Sequence, residues 1–146
     1  MTTVAEILRS KGDALVHTIQ PDDSVFDALQ RMADKSIGAL LVMQGDAIVG
    51  IVTERDYARK IALKGRTSAL TKVRDVMTTS VMFVKPTQTS DECMALMTEN
   101  RLRHLPVVQH DKLIGLISIG DLVKNIISEQ KFVIEQLEHY ITGQRG

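Results

Sequence analysis

Apolar and polar positions follow one another along this chain in an order that occurs twice. Val4, Ile7 and Leu8 share a face, which predicts a short helix closed by Gly12. Val16 to Gln20 reads as a strand, and Pro21 ends it because proline has no N–H to give to a ladder. Ser24 and Asp27 make a capping box, and Val25, Ala28, Leu29 and Met32 follow at helical spacing, predicting a helix that runs to Ser36. Ala39 to Met43 is an apolar run too short for a helix, as expected of a strand buried on both faces. Gln44-Gly45-Asp46 has hairpin-turn composition, and Ala47 to Val52 is the returning strand. Asp56 to Lys64 then reads as a helix stopped by Gly65. The order is strand, helix, strand, strand, helix.

A step of 65 residues reproduces it: Val16 falls on Val81, Pro21 on Pro86, Met32 on Met97, Leu40 on Leu105, Val42 on Val107 and Gln44 on Gln109. Ser24 falls on Thr89, whose own capping box ends at Glu92. The same step carries Gly50-Ile-Val-Thr53-Glu-Arg-Asp56 onto Gly115-Leu-Ile-Ser118-Ile-Gly-Asp121. Val73 to Met77 repeats Val4 to Leu8 at a step of 69, so the copies differ by four residues in a loop. The expected organisation is a first repeat with its N-terminal helical segment over 1–65, a polar linker over 66–72, a second repeat over 73–130 and a C-terminal helical extension over 131–146. A unit this long exceeds solenoid repeats, and two copies predict a pseudo-two-fold pair within one chain. The last helix, from Asp121 toward Ile141, carries Ile126, Ile127, Val133, Ile134, Leu137, Tyr140 and Ile141 as a widening apolar stripe. That stripe either covers the chain's own core or packs against a second chain.

Composition narrows the class. At 146 residues the chain is long enough to bury roughly 68–70% of its unfolded surface without staples. Lysine plus arginine equals aspartate plus glutamate at 18 each, so no global field favours nucleic acid or a membrane. Aromatic residues make up 3% and tryptophan is absent, leaving no stacking platform for single-stranded nucleic acid. The lone Cys93 excludes an internal disulfide and fits a reducing compartment. No run approaches the roughly 18 apolar residues of a membrane span, and the first residues lack a signal-peptide pattern; the expected location is cytoplasmic.

The candidate chemistry sits at the repeated turns. Thr53…Asp56 and Ser118…Asp121 are capping boxes, which satisfy N–H groups that a helix start leaves unpaired. A strand end that meets a helix N-terminus is also where ligands dock in open α/β layers, and the terminus favours an anion, with Arg55 beside it. A carboxylate there repels phosphate but accepts hydrogen bonds from vicinal hydroxyls, a combination that suits a ribonucleotide. Arg101, Arg103 and His104 cluster where the second copy enters its middle strand. They either complement a helix dipole or bind phosphate. The first copy has uncharged Ser36-Ile-Gly-Ala39 there, so the halves are unequal. Cys93 aligns with Ala28 on a core face, and His17, His104, His110 and His139 lack metal-ligand spacing. With no phosphate-binding glycine loop and no convergent acid–base pair, no catalysis and no catalytic cofactor are expected.

These residues together resemble the CBS domain family, as a tandem pair (a Bateman module) of the small stand-alone bacterial kind. The resemblance rests on the two Gly-x-x-Thr/Ser-x-x-Asp turns, the Leu105-Pro106-Val107-Val108 strand and the doubled element order. It implies an α/β fold of two CBS repeats that binds AMP, ADP, ATP, NAD or S-adenosylmethionine in clefts between the repeats. Asp56 and Asp121 would hold the ribose hydroxyls, with Thr53 and Ser118 on ribose or phosphate. Thr18, Ile19 and Pro21, and likewise Phe83, Val84 and Pro86, would lie along the base. Ala39 and Leu40, with His104, Leu105 and Pro106 in the second copy, would form the opposite wall, and Arg55, Arg101, Arg103 and His104 would face phosphates. Gly120 stands where Arg55 does, so the second turn must borrow its charge. The resemblance further implies a homodimer and an unidentified protein partner that receives the signal; the alternative is a structural dimerisation module with empty clefts.

Overall fold

The computed structural model describes residues 2–11 and 16–142, which form two compact α/β units. The first strand β1 (Thr18–Ile19), helix α2 (Val25–Lys35), strands β2 (Ala39–Gln44) and β3 (Ala47–Thr53), and helix α3 (Glu54–Asp56) belong to one unit. Helix α1 (Val4–Ser10), helix α4 (Ser90–Asn100), strands β4 (His104–Gln109) and β5 (Lys112–Ser118), and the long helix α5 (Ile119–Ile141) belong to the other. No helix among the described residues is long and apolar enough to cross a membrane.

In the first of these units β1 runs parallel to β2, and β2 pairs antiparallel with β3. In the second, β4 and β5 form the matching hairpin, and the counterpart of β1 shrinks to a single parallel bridge between Val84 and Val107. The expected strand over Val16 to Gln20 is thus two residues long, and its repeat is one bridge. Pro21 and Pro86 stop both segments from extending, because neither can donate an N–H. Both hairpins shift register at the same place, after Val42 and after Val107.

The helices start where side chains can hold their free N–H groups. Ser24, Thr53, Thr89 and Ser118 each accept from the N–H three residues on. The reciprocal half of the capping box forms only at Thr53 and Ser118. At Ser24 and Thr89 the carboxylates, Asp27 and Glu92, do not return, and Glu92 accepts from Gln88 instead. The helix expected over Asp56 to Lys64 begins earlier, at Glu54, because Thr53 is its cap, and widens into π geometry over Tyr57–Ala62. Nothing in its residues marks that change, and α5 shows no counterpart. The Gly12 helix stop and Gly143 lie outside the described residues.

The core repeats with the sequence. Ile19, Val25, Ala28, Met32, Leu40, Val42, Val52, Val73 and Val76 are buried in one unit. Their equivalents Val84, Ser90, Cys93, Met97, Leu105, Val107, Ile117, Val4 and Ile7 are buried in the other. Only Ser90 breaks the apolar pattern.

Val4 and Ile7 come from the chain's start, which the spacing had attached to the first repeat. The structure docks α1 on the second repeat, and Val73–Asp75 on the first. The hydrogen bonds are the same in both cases. Val4 N–H donates to Gln88 O (2.8 Å), Ala5 N–H to Pro86 O (3.0 Å) and Ser90 N–H to Thr2 O (2.9 Å). In the other unit Val73 donates to Asp23, Arg74 to Pro21 and Val25 to Thr71, each at 2.9 Å. Residues 66–72, read as a linker, are therefore tied to the start of α2.

The glycines that open the repeated turns exist for this docking. A Cβ on Gly115 would lie 2.6 Å from Leu8 Cδ2, and one on Gly50 would lie 2.8 Å from Met77 Sδ and 2.9 Å from the Thr78 carbonyl. Leu8 can rotate away, whereas a main-chain carbonyl cannot. Gly50→Ala should therefore cost about 1–3 kcal/mol by overpacking and Gly115→Ala less. Urea denaturation of both variants checks the order, and a costlier Gly115→Ala would contradict it.

Candidate functional site

Each repeated turn places a carboxylate at the third position of a helix, directly after a strand end. Asp56 is 8% exposed. Its Oδ2 accepts from the Thr53 N–H (3.0 Å) and hydroxyl (3.2 Å). Its Oδ1 pairs with Lys60 Nζ at 3.2 Å and accepts weakly from the Thr78 hydroxyl at 3.5 Å. Lys60 also donates to the Val76 carbonyl at 2.7 Å.

Asp121 is built alike but with a lysine from elsewhere. Its Oδ2 accepts from the Ser118 N–H (2.9 Å) and pairs with Lys11 Nζ at 3.0 Å. Lys11, at the end of α1, donates as well to the Leu116 carbonyl at 2.8 Å. In the other unit the equivalent carbonyl, that of Ile51, accepts from the Thr78 main chain at 2.8 Å. Burial pushes the Asp121 carboxyl up, but the Ser118 N–H and the Lys11 ammonium outweigh it and hold the group below its ordinary value. It is an anion at neutral pH.

His104 opens β4 and pairs across the hairpin with Ser118, which brings the imidazole into the field of Asp121 and Lys11. Burial drives its pKa down; the Asp121 charge opposes this, and the Lys11 and Arg103 cations add to it. The ring is neutral at pH 7, able to donate from one nitrogen and accept at the other. Arg103 and Arg101 are exposed, and Arg101 sits in the left-handed region (φ 54°) as the cap of α4. Arg55 is likewise exposed. None of the three forms an ion pair among the described residues.

The remaining expected positions divide by burial. Ile19, Ala39, Leu40, Val84, Leu105 and Pro106 are buried, so their side chains belong to the core. Thr18, Pro21 and Pro86 are half-buried and Phe83 is exposed. Cys93 is buried, with its thiol pushed up by burial and by Glu92, as a core residue would be. His110 occupies a hairpin turn at positive φ, and no three His, Cys, Asp or Glu side chains among the described residues are grouped to hold a metal. Sequence reasoning missed Lys11 and Lys60. The i, i+4 spacing from Asp56 was a usable signal for Lys60. None existed for Lys11, which is 110 residues from Asp121.

The CBS domain sequence profile matches residues 3–63 and 73–128. The chain belongs to the CBS domain family. Among curated relatives it is 40% identical to the mitochondrial CBS domain-containing protein CBSX3 of Arabidopsis thaliana, over 97% of this chain and 73% of that one. Among solved structures it is similar to a putative signal-transduction protein with CBS domains from Burkholderia ambifaria: 57% identity, TM-score 0.85, 88% of this chain and 96% of the other. A hexameric CBS-CP12 protein from bloom-forming cyanobacteria is 30% identical with TM-score 0.74, over 84% of this chain and 71% of that one. The two turns are thus equivalent positions of two CBS repeats, in a family of regulatory modules.

The depressed His104 has a measurable consequence. Below its ordinary value of 6.5 the unfolded chain binds a proton there that the folded chain resists, so this group's contribution to stability declines as pH falls. The lowered Asp121 group acts the same way only further down, below 3.8. Between about pH 7 and about pH 5, His104→Gln should therefore lose less stability than the parent in urea unfolding. Equal losses would show that His104 stays uncoupled from folding.

Proposed function

We propose that this CBS pair is a regulatory module, not itself an enzyme, that reversibly binds an adenine nucleotide: AMP, ADP, ATP or NAD. The observation that carries the reading is the cluster of Ser118, Asp121, His104 and Lys11. An ionised carboxylate at a strand end accepts from the vicinal hydroxyls of a ribose, through charge-assisted bonds stronger than neutral ones. A neutral imidazole beside it offers polar contacts without repelling either charge. Arg101 and Arg103, on the same strand entrance, supply the cations that phosphates need. The second turn lacks a guanidinium of its own at Gly120, and these two arginines provide it. A nucleotide that binds only the folded state stabilises it by mass action and would pass its presence to a partner protein. At a hundredfold excess over Kd this amounts to about 2.7 kcal/mol. Melting scans with AMP, ADP, ATP, NAD and S-adenosylmethionine should show an upward Tm shift with at least one adenine nucleotide. No shift with any of them would reject the reading.

The module works as a homodimer in this proposal. Along α5, Ile119, Val123, Ile127, Ile134, Leu137 and Ile141 are 40–80% exposed, and from Ile127 to Thr142 every residue is exposed. A helix this apolar and this uncovered is expected to be paired. The same face supports the second reading, a dimerisation module that binds no ligand, which the melting scans separate from the first. Sedimentation of the parent should give a species larger than one chain, and Leu137→Glu should shift it toward the monomer. A monomeric parent would end the dimer proposal.

A further inference from the structure

The aspartate turns repeat in sequence, but their carboxylates are engaged differently. Both oxygens of Asp56 are occupied, Oδ2 by Thr53 and Oδ1 by Lys60 and Thr78. Lys60 also holds the Val76 carbonyl, and Thr78 exchanges main-chain hydrogen bonds with Ile51. The Asp56 carboxylate therefore clasps the helix after β3 to the segment that docks on it. At Asp121 the Ser118 N–H and Lys11 both engage Oδ2, the Ser118 hydroxyl also lies against the carboxylate, and Oδ1 accepts no hydrogen bond from the described residues. The positions that saturate Asp56 have changed: a step of 65 puts Asn125 where Lys60 stands, and a step of 69 puts exposed Arg9 where Thr78 stands. The strand entrances differ in the same sense. Arg101, Arg103 and His104 stand where the first repeat has Ser36, Gly38 and Ala39.

We infer that a single adenine nucleotide binds per chain, with its ribose on Asp121, and that the Asp56 turn is a structural clasp. The inference rests on the nucleotide-binding reading above and adds which turn is used. A ribose diol brings two O–H donors, and Asp121 Oδ1 can accept from them without losing a contact. Asp56 would first have to release Thr78 or Lys60, and releasing Lys60 also strips the Val76 carbonyl of its donor. Burying such a group without a partner is unfavourable. Phosphates would find His104 and Arg103 beside the Asp121 turn, where the Arg103 carbonyl accepts from the Ile119 N–H, whereas the Asp56 turn offers Arg55 and a Lys60 that is already engaged.

Calorimetric titration of the full chain with AMP, ADP, ATP and NAD tests this. One equivalent per chain is expected. Asp121→Asn keeps the volume but removes the charge, and it should weaken binding at least about tenfold without revealing a second site. His104→Ala should weaken the same site, and it serves as the second variant if Asp121→Asn fails to fold by circular dichroism. Two equivalents per chain would overturn the inference while leaving the nucleotide reading intact. An unweakened equivalent in Asp121→Asn, or unchanged affinity in His104→Ala, would do the same. No binding by the parent to any of AMP, ADP, ATP or NAD would reject both.

Discussion

An apolar segment laid against a bare strand is the contact on which both units depend. Leu8 against Gly115 and Met77 against Gly50 are equivalent contacts, and each needs a strand position without a side chain. Around each one, three main-chain hydrogen bonds tie the segment to the loop before a helix and to that helix's first turn. The segment also buries valines in the core it docks on, Val4 in one unit and Val73 and Val76 in the other. The glycines of the two turns thus serve the packing, while the hydroxyl and carboxylate a few residues on serve the helix start and the site.

The same docking completes the electrostatics. Each aspartate is countered by a lysine that also caps a main-chain carbonyl, yet the two lysines come from unrelated places: one from the helix that follows the aspartate, the other from the chain's first helix. Folding has reproduced a charge pair that the repeat does not encode position by position. Because Lys11 arrives from one side only, it leaves Asp121 with an unengaged oxygen, whereas Lys60 and Thr78 close Asp56 from two directions. Duplication made two similar turns, and the docked segments made them different.

Much of the fold was legible because the signals were local. The hairpins, the four hydroxyl caps and the buried middle strands follow from spacing within a dozen residues, and the step of 65 confirmed each one twice. The shortfalls were also local in cause. β1 was overestimated because apolar alternation does not record how many residues keep ladder geometry against the neighbouring strand. The π-helix after Asp56 has no marker in its residues. The arginines and His104 were identified by charge density at one strand entrance, and the place of His104 beside Asp121 follows from the β4–β5 register.

The element order, the doubling of the unit, the family and the pair of carboxylates at helix starts are readable along the chain. These depend on neighbours along the chain, whose geometry the backbone imposes. Closure of the chain brings the first helix to the second repeat, sets Lys11 against Asp121, and saturates one carboxylate but not the other. Those are contacts between segments more than 100 residues apart, as with Lys11 and Asp121, or between a turn and whatever docks on it. No periodicity records such partners, because burial and hydrogen-bond geometry select them only when the chain closes on itself.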